Sequence, residues 1–132
     1  YESFYIEPQR RATGWIMAQL EREYDQAGLI LSPEFGELSD HVAVELEFMA
    51  FLCDQEAQGW DKDILAEIFQ ALERQREFLG QHLGRWFPIF AGRVKQSAPK
   101  DLYDIVVEAI EAFIKHDFDL VYLLIEGVSE YE

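Results

Sequence analysis

The sequence predicts an all-α protein, a single bundle of about five helices packed around a central apolar helix. Apolar residues recur at intervals of three and four in successive segments, which is the helical period. No internal repeat, low-complexity tract or Pro/Gly-rich linker divides the 132 residues. A chain of this length buries roughly two-thirds of its unfolded surface. One helical domain is therefore predicted over residues 1–132.

The first part of the chain is expected to contain an extended lead and one amphipathic helix. Residues 1–6 are predicted to be extended, and Pro8 suits a first helical turn. Gly28 ends an apolar stripe, as glycine commonly does after a helix. The members of that stripe are Thr13, Ile16, Met17, Leu20, Tyr24 and Ala27. A loop over residues 29–38 then leads to the central helix.

The central helix is apolar on almost every side and is expected to run through the middle of the bundle. Ser39 or Asp40 is predicted to cap its first turn, and Gly59 to end it. Glu45 falls where a core residue belongs, so its carboxylate needs a buried partner. His41, one turn earlier, is the nearest candidate.

A long helix is predicted from Asp63 to the residue before Pro88, where the chain is expected to be reset. Its core-facing stripe consists of Ile64, Ile68, Leu72, Gln75, Leu79, His82, Leu83 and Trp86. Gly80 and Gly84 lie on the opposite side, where they indicate a local bend or the close approach of another backbone. The side chain of His82 is therefore expected to be buried.

Two further helices are predicted after Pro88. The first is short and reaches about Ser97, because Ala98 and Pro99 break it. The second is defined by Leu102, Ile105, Val106, Ala109, Ile110 and Phe113. Residues 118–132 are predicted to form either a short helix or an extended tail, since their β-branched and aromatic content does not decide between the two.

The net charge and the length of the apolar runs limit the kinds of partner that are expected. With 26 acidic and 11 basic residues the formal charge is −15, so the average surface repels phosphate backbones and anionic membranes. No nucleic-acid partner is predicted; a cationic peptide suits the charge, although Glu-rich solvated faces explain it equally well. No apolar run approaches the roughly 20 residues that cross a bilayer, and no secretory signal opens the chain. These features predict a cytoplasmic protein without membrane insertion.

No motif indicates catalysis or a bound cofactor. The chain has no Gly-rich phosphate loop, nucleophile elbow or zinc-protease motif, and its lone Cys53 is predicted to be a small core residue. A ferritin-like di-iron site requires two Glu-x-x-His pairs, and none of the three histidines follows such a glutamate. His41 and Glu45 supply two ligand types on one helix face, so a metal-binding bundle stays as an alternative. We predict neither metal nor cofactor.

Three short motifs occur in an order and at a spacing that match a known family. They are Tyr1-Glu2-Ser3-Phe4-Tyr5, Asp40-His41 leading into Glu45-Leu46-Glu47-Phe48-Met49, and Phe78-Leu79-x-x-His82-Leu83-x-x-Trp86. Together they resemble the motifs of the TorD/DmsD/NarJ family of redox-enzyme maturation chaperones. The resemblance covers residue 1 to about residue 113. The family's first helices do not precede these motifs here, so the chain is expected to be the C-terminal portion of the family fold.

The resemblance implies a chaperone that binds the twin-arginine signal peptide and the apo-form of a molybdenum or tungsten oxidoreductase until its cofactor is loaded. The candidate client-binding residues are Tyr1, Ser3, Tyr5, Asp40, His41, Glu45, His82 and Trp86. Asp40 and His41 match family positions associated with signal-peptide binding, at a helix start that is expected to be accessible. Tyr1, Ser3 and Tyr5 match the segment joining the two halves of the fold.

Each of these interpretations has a simpler structural alternative. His82 and Trp86 are better explained as core groups, and Trp15, off its apolar stripe, is the better candidate for an exposed aromatic side chain. A structural or oligomeric helical module without a client is the alternative from another class, and it would lack an open apolar groove. A chain without the family's first helices exposes the apolar surface they cover, which predicts a homodimer or a domain-swapped oligomer.

Overall fold

The computed structural model describes residues 1–6, 13–34, 36–97 and 101–131, and within these residues every regular element is helical. The elements are α1 (Glu2–Ile6), α2 (Thr13–Ala27), α3 (Val42–Lys62), α4 (Leu65–Phe78), a π-helical turn (Leu79–Leu83), α5 (Gly84–Ser97) and α6 (Leu102–Ser129). The prediction of an all-α bundle is confirmed. Predictions made for Pro8, Ala98 and Pro99 fall outside the described residues.

The core joins α2, α3 and α4 through aromatic side chains. The rings of Tyr24 and Phe48 lie 4.6 Å apart, and those of Phe48 and Phe78 lie 4.8 Å apart. Helix α6 packs against α4 and α5. Only one face of helix α3 lies in the core. Val44, Phe48, Met49 and Leu52 are buried, whereas Ala43, Glu47, Ala50 and Asp54 are exposed. The expectation of an almost wholly buried α3 was therefore too strong.

The ends of α3 differ from the prediction. Its N-cap is His41, whose Nδ1 accepts a hydrogen bond from the Ala43 N–H at 3.1 Å. At the other end the helix passes through Gly59 and stops at Asp63, which adopts the left-handed conformation with φ of 55°. A Cβ at Gly59 would lie 2.9 Å from the Ile68 side chain. Gly59 therefore allows α3 and α4 to pack closely, and does not end α3.

The predicted single helix before Pro88 is divided by the π turn, and α5 continues through Pro88. Gly84 closes the turn by donating its N–H to the Leu79 carbonyl, and a Cβ at Gly84 would lie 2.5 Å from that oxygen. Leu79 lies five residues earlier in the same helical run, so Gly84 marks a local irregularity of that run and not the approach of another backbone. Pro88 removes the donor for the Gly84 carbonyl, at a point where the π turn already interrupts the α-helical ladder. The helix therefore continues without being reset.

Both ends of the chain are more helical than predicted. Residues 2–6 form α1 and are not extended. Helix α6 runs without interruption to Ser129, which decides the open question in favour of a helix, and the Asp101 side chain caps its start by accepting from the Tyr103 N–H at 2.9 Å. Contacts with the rest of the bundle order both segments, and a local pattern does not report such contacts.

Candidate functional site

Helix α1 is fastened to the start of α3 through Asp40. The Glu2 N–H donates to the Asp40 carbonyl oxygen at 2.9 Å, and the Ser3 N–H donates to the Asp40 carboxylate at 3.1 Å. The Ser3 hydroxyl donates a short hydrogen bond to the same carboxylate oxygen. Asp40 is fully buried. Its carboxylate thus holds α1 in place, whereas the sequence led us to expect an accessible side chain.

A buried ion pair makes the second attachment of α1. His82 Nδ1 lies 2.8 and 3.0 Å from the two carboxylate oxygens of Glu2, and His82 Nε2 lies 3.2 Å from a carboxylate oxygen of Glu23. Burial by itself would lower the pKa of His82, but the bonds to Glu2 and Glu23 outweigh it and raise the pKa to about 9. His82 is therefore an imidazolium at neutral pH. We refer to Glu2, Ser3, Asp40 and His82 as the α1 clamp.

Glu45 is buried beside this clamp and finds a partner that the sequence did not indicate. Trp86 Nε1 donates to one carboxylate oxygen of Glu45 at 3.0 Å, and the other oxygen has no partner in the described part of the chain. Burial, together with the nearby charge of Glu2, raises the pKa of Glu45 well above its usual range. The expected pairing of Glu45 with His41 was wrong, because the His41 ring turns to cap its own helix.

Aromatic side chains of α1 and of Tyr1, just before it, lie over this site. The Tyr5 ring stacks on Trp86 at 5.6 Å, and the Arg93 guanidinium lies 4.9 Å from the centre of the Tyr5 ring. The Tyr1 ring meets His41 edge-on at 5.0 Å. Tyr1 and Phe4 are 46% and 61% exposed. The accessible part of the site is thus mainly aromatic, whereas Glu2, Asp40, Glu45 and His82 are buried.

A second accessible feature is a cavity of about 310 Å³ over His82. Its walls come from α1, α2, the π turn and α5, and include Glu2, Trp15, Gln19, Gln81, His82 and Arg85. Trp15 is 48% exposed, so its prediction as an exposed aromatic is confirmed. Glu2 and His82 of the clamp form part of its wall.

The structure brings seven of the eight predicted site residues together in four contacts, which are Tyr1 with His41, Ser3 with Asp40, Tyr5 with Trp86, and Trp86 with Glu45. His82 instead binds Glu2 and Glu23, which sequence reasoning missed. Glu2 lies inside the first motif, where a charge between aromatic residues was the available sign. Glu23 had none, because it lies beside the apolar stripe of α2 like any solvated glutamate.

Across residues 1–6, 13–34, 36–97 and 101–131 there is no group of three or more His, Cys, Asp or Glu side chains arranged to hold a metal ion. None of the helices described is both long enough and apolar enough to cross a membrane.

The protein is all-α, and its three sequence motifs meet in one buried polar cluster. The family described as nitrate reductase delta subunit matches residues 1–92. The chain belongs to this family, which confirms the resemblance to the TorD/DmsD/NarJ group. No solved structure matches the chain significantly.

Curated relatives carry the names of chaperones. The perchlorate reductase assembly chaperone protein of Dechloromonas aromatica is 28% identical over 114 residues, covering 86% of this chain and 49% of the relative. A chaperone protein TorD of Vibrio cholerae is 31% identical over 117 residues, covering 89% and 51%. The chlorate reductase assembly chaperone protein of Ideonella dechloratans is 38% identical over 88 residues, covering 67% and 44%. The chain spans about half the length of these relatives. Their names agree with the prediction of a protein that is not an enzyme.

Proposed function

We propose that this chain acts as a cytoplasmic chaperone for a molybdenum or tungsten oxidoreductase. It would bind the twin-arginine signal peptide and the apo-form of the client, assist cofactor insertion and hold back export until maturation is complete. Membership of the family and the names of the curated relatives support the chaperone role. The observation that carries the proposal is the convergence on the α1 clamp of three motifs separated by up to 80 positions.

The client peptide, on this proposal, contacts the exposed aromatic surface over the clamp. Tyr1, Phe4 and His41 offer partly accessible rings at the junction of α1 and α3. The Tyr1 hydroxyl donates to the exposed Glu37 at 3.0 Å, which places a carboxylate beside these rings for an arginine of the client. The buried residues Asp40, Glu45, His82 and Trp86 act by positioning α1, and not by touching the client.

The affinity of such a site is expected to come mainly from apolar contacts. A signal peptide carries two arginines and an apolar stretch of about ten residues. Exposed ion pairs contribute about 0–1 kcal/mol each, whereas each fully buried Leu or Phe contributes about 1.5–3 kcal/mol. The acidic surface, with a formal charge of −15, then serves chiefly to speed encounter and to select orientation.

Isothermal titration with a synthetic peptide tests how the binding free energy is divided between apolar contacts and ion pairs. The peptide contains two adjacent arginines followed by an apolar stretch, and it is compared with one variant lacking the arginines and another with two leucines replaced by serine. We expect the serine variant to lose more affinity than the variant without arginines. The opposite order would contradict the proposed division, and no binding by any of the peptides would contradict the proposed function.

Substitutions on the chain locate the site. Phe4→Ser is expected to weaken peptide binding about tenfold, since one apolar contact is lost, and to leave the melting temperature nearly unchanged. Phe113→Ser is the matched control, because Phe113 is also an exposed phenylalanine but lies on α6. Equal effects of the two substitutions would place the peptide elsewhere.

A structural or oligomeric role is a second candidate that one observation favours. Helix α6 carries an exposed apolar stripe, consisting of Leu102, Ile105, Val106, Phe113, Leu120 and Leu123. Such a contiguous apolar face on a surface helix commonly marks an interface. Sedimentation velocity at increasing concentration decides whether the chain associates through this stripe, with Leu120→Gln as the variant that weakens association.

A further inference from the structure

The guanidinium of Arg93 lies over two aromatic rings of α1. Its central carbon is 4.9 Å from the centre of the Tyr5 ring and 5.8 Å from that of the Phe4 ring. The two rings in turn meet edge-on at 5.0 Å. Contacts of this kind restrain a guanidinium and leave the N–H donors along its edge available for hydrogen bonds. Arg93 is exposed, so these donors can reach a ligand.

No acidic side chain in the described part of the chain forms an ion pair with Arg93. Its neighbours one helical turn away on α5 are all uncharged, namely Ile89, Phe90, Gln96 and Ser97. Lys95, two positions later, is by contrast bonded to Glu111 at 2.6 Å. Because the planar fork of a guanidinium matches the two oxygens of a carboxylate, Arg93 is well suited to bind a carboxylate of another molecule.

The opposite end of the same surface carries a negative charge. The Tyr1 hydroxyl donates to the exposed carboxylate of Glu37 at 3.0 Å. The Phe4 N–H donates to the Tyr1 carbonyl oxygen at 3.3 Å. Tyr1 therefore links Glu37 to the start of α1, and Phe4 links α1 to Arg93. These contacts place a carboxylate, two partly exposed rings and a guanidinium in that order across the surface.

We propose that Arg93 binds an acidic side chain of the client polypeptide and thereby fixes the direction in which the client lies on the surface over the α1 clamp. This site rests on the proposed function, because its occupant is part of the client. Basic residues of the client lie toward Glu37, apolar residues cover Phe4, and the acidic residue reaches Arg93. The reverse direction would bring like charges together at both ends, which is disfavoured.

A charge-swap titration tests the partner of Arg93. Two synthetic peptides share two arginines followed by an apolar stretch, and they end in either glutamate or lysine with an amidated C-terminus. The ratio of the two affinities is measured at 0.15 M salt, where charges more than about 8 Å apart are largely screened. We expect Arg93→Glu to shift this ratio about tenfold toward the lysine peptide, since an attraction is replaced by a repulsion. The ratio compares each variant with itself, so it does not depend on the folded fraction.

Lys62→Glu is the matched control for this titration. Lys62 is the last residue of α3, whose 21 residues extend about 30 Å from the end to which α1 is attached. The substitution makes the same change of charge far from Arg93. Its affinity ratio should therefore stay within about twofold of that of the unaltered chain. Equal shifts of the ratio in Arg93→Glu and Lys62→Glu would overturn the assignment of Arg93.

The direction of the bound client is measured by paramagnetic broadening in NMR spectra. A nitroxide is joined through a thioether to one or the other end of the glutamate peptide. With the label at the glutamate end, we expect the amide signal of Arg93 to broaden more than that of Glu37. With the label at the arginine end, the order should be reversed. The opposite pattern, or equal broadening of the two signals, would overturn the proposed direction and leave the client-binding function standing.

A small probe keeps the Arg93 site testable when no peptide binds, which is the result that would overturn the proposed function. N-acetyl-Phe-Glu-amide is expected to shift the side-chain Nε–H signal of Arg93 more than N-acetyl-Phe-Gln-amide does. A selective shift without peptide binding would support a carboxylate site at Arg93 and reject the client. Absence of both peptide binding and selective shifts would overturn the function and the site together.

Discussion

Helices α1 and α6 lie at opposite ends of the described chain, and they distribute polar and apolar side chains in opposite ways. In α1 the carboxylate of Glu2 is buried, while Phe4 is 61% exposed. In α6 the apolar residues Leu102, Ile105 and Leu123 are each more than 60% exposed. The usual arrangement, with charges outside and apolar groups inside, is therefore reversed at particular positions in both helices.

This difference shows that, in α1 and α6, contacts with the rest of the fold determine which side chains are buried more than residue type does. Helix α1 has five residues, too few to be held by apolar area alone, and buried polar bonds to Asp40 and His82 fix it. Helix α6 has 28 residues and carries more apolar surface than α4 and α5 cover. Polar bonds thus order the short helix, and the long helix keeps an unused apolar face.

Breaking the clamp at its ion pair is expected to have the largest effect. His82→Ala removes the cation that neutralises buried Glu2, and an uncompensated buried carboxylate costs about 3–5 kcal/mol of unfolding free energy. Urea denaturation measures the loss. His116→Ala is the control, because His116 is exposed and its effect should stay within about 0.5 kcal/mol. Similar losses in the two variants would mean that α1 is not held by His82.

Alkaline pH is expected to weaken the same ion pair. The pKa of His82 is about 9 in the folded chain and about 6.5 when unfolded. The folded chain therefore binds the proton more tightly, so this contribution is complete below about pH 6.5 and is lost as pH rises through about 9, by about 3 kcal/mol. Glu45, whose raised pKa reflects burial, acts in the same direction. Urea midpoints at several pH values test this, and a flat profile would contradict it.

Asp40 and His41 provide a sharper comparison between a buried and a partly exposed member of the site. Asp40→Ala removes the acceptor for Ser3 and is expected to cost about 2 kcal/mol. His41→Ala removes the cap of α3 and the partly exposed contact with the Tyr1 ring, and is expected to cost about 0.5–1 kcal/mol. Thermal melts give both values. If His41→Ala proves the more destabilising, the role assigned to Asp40 in holding α1 is wrong.

Changes on the α6 stripe are expected to have the smallest effect on stability. Leu120→Gln with Leu123→Gln replaces exposed apolar groups, so the unfolding free energy should change by less than about 0.5 kcal/mol. Self-association seen by sedimentation velocity should decrease, because less apolar area is available for contact. A large loss of stability would show that the stripe is already covered within the folded chain.

Local periodicity predicted the parts of the fold that depend on one helix face meeting a core. The stripe of α2 placed Ile16, Leu20 and Tyr24 in the core, where they are found. The stripe before Pro88 likewise predicted that His82 is buried, and it is 2% exposed. These predictions needed only the helical period and the polarity of each side chain.

The partners within the site could not be predicted in the same way. Glu45 bonds to Trp86, 41 positions away, and Glu2 bonds to His82, 80 positions away. Adjacent helical turns suggested His41 for Glu45, but His41 caps its own helix. The π turn before Pro88 was also not predicted as such: Gly80 and Gly84 indicated a local bend, but which carbonyl accepts each N–H there is decided by the packing of the helix.

The sequence by itself determined the helical class, the apolar faces and the motifs that identify the family, because each of these is written in residues close together along the chain. Only the tertiary structure decided that residues 2–6 form a helix, that Trp86 and not His41 binds Glu45, and that α6 keeps an apolar face in solvent. These outcomes depend on which distant side chain lies close enough to pair with a buried charge, and on how much apolar area the neighbouring helices cover.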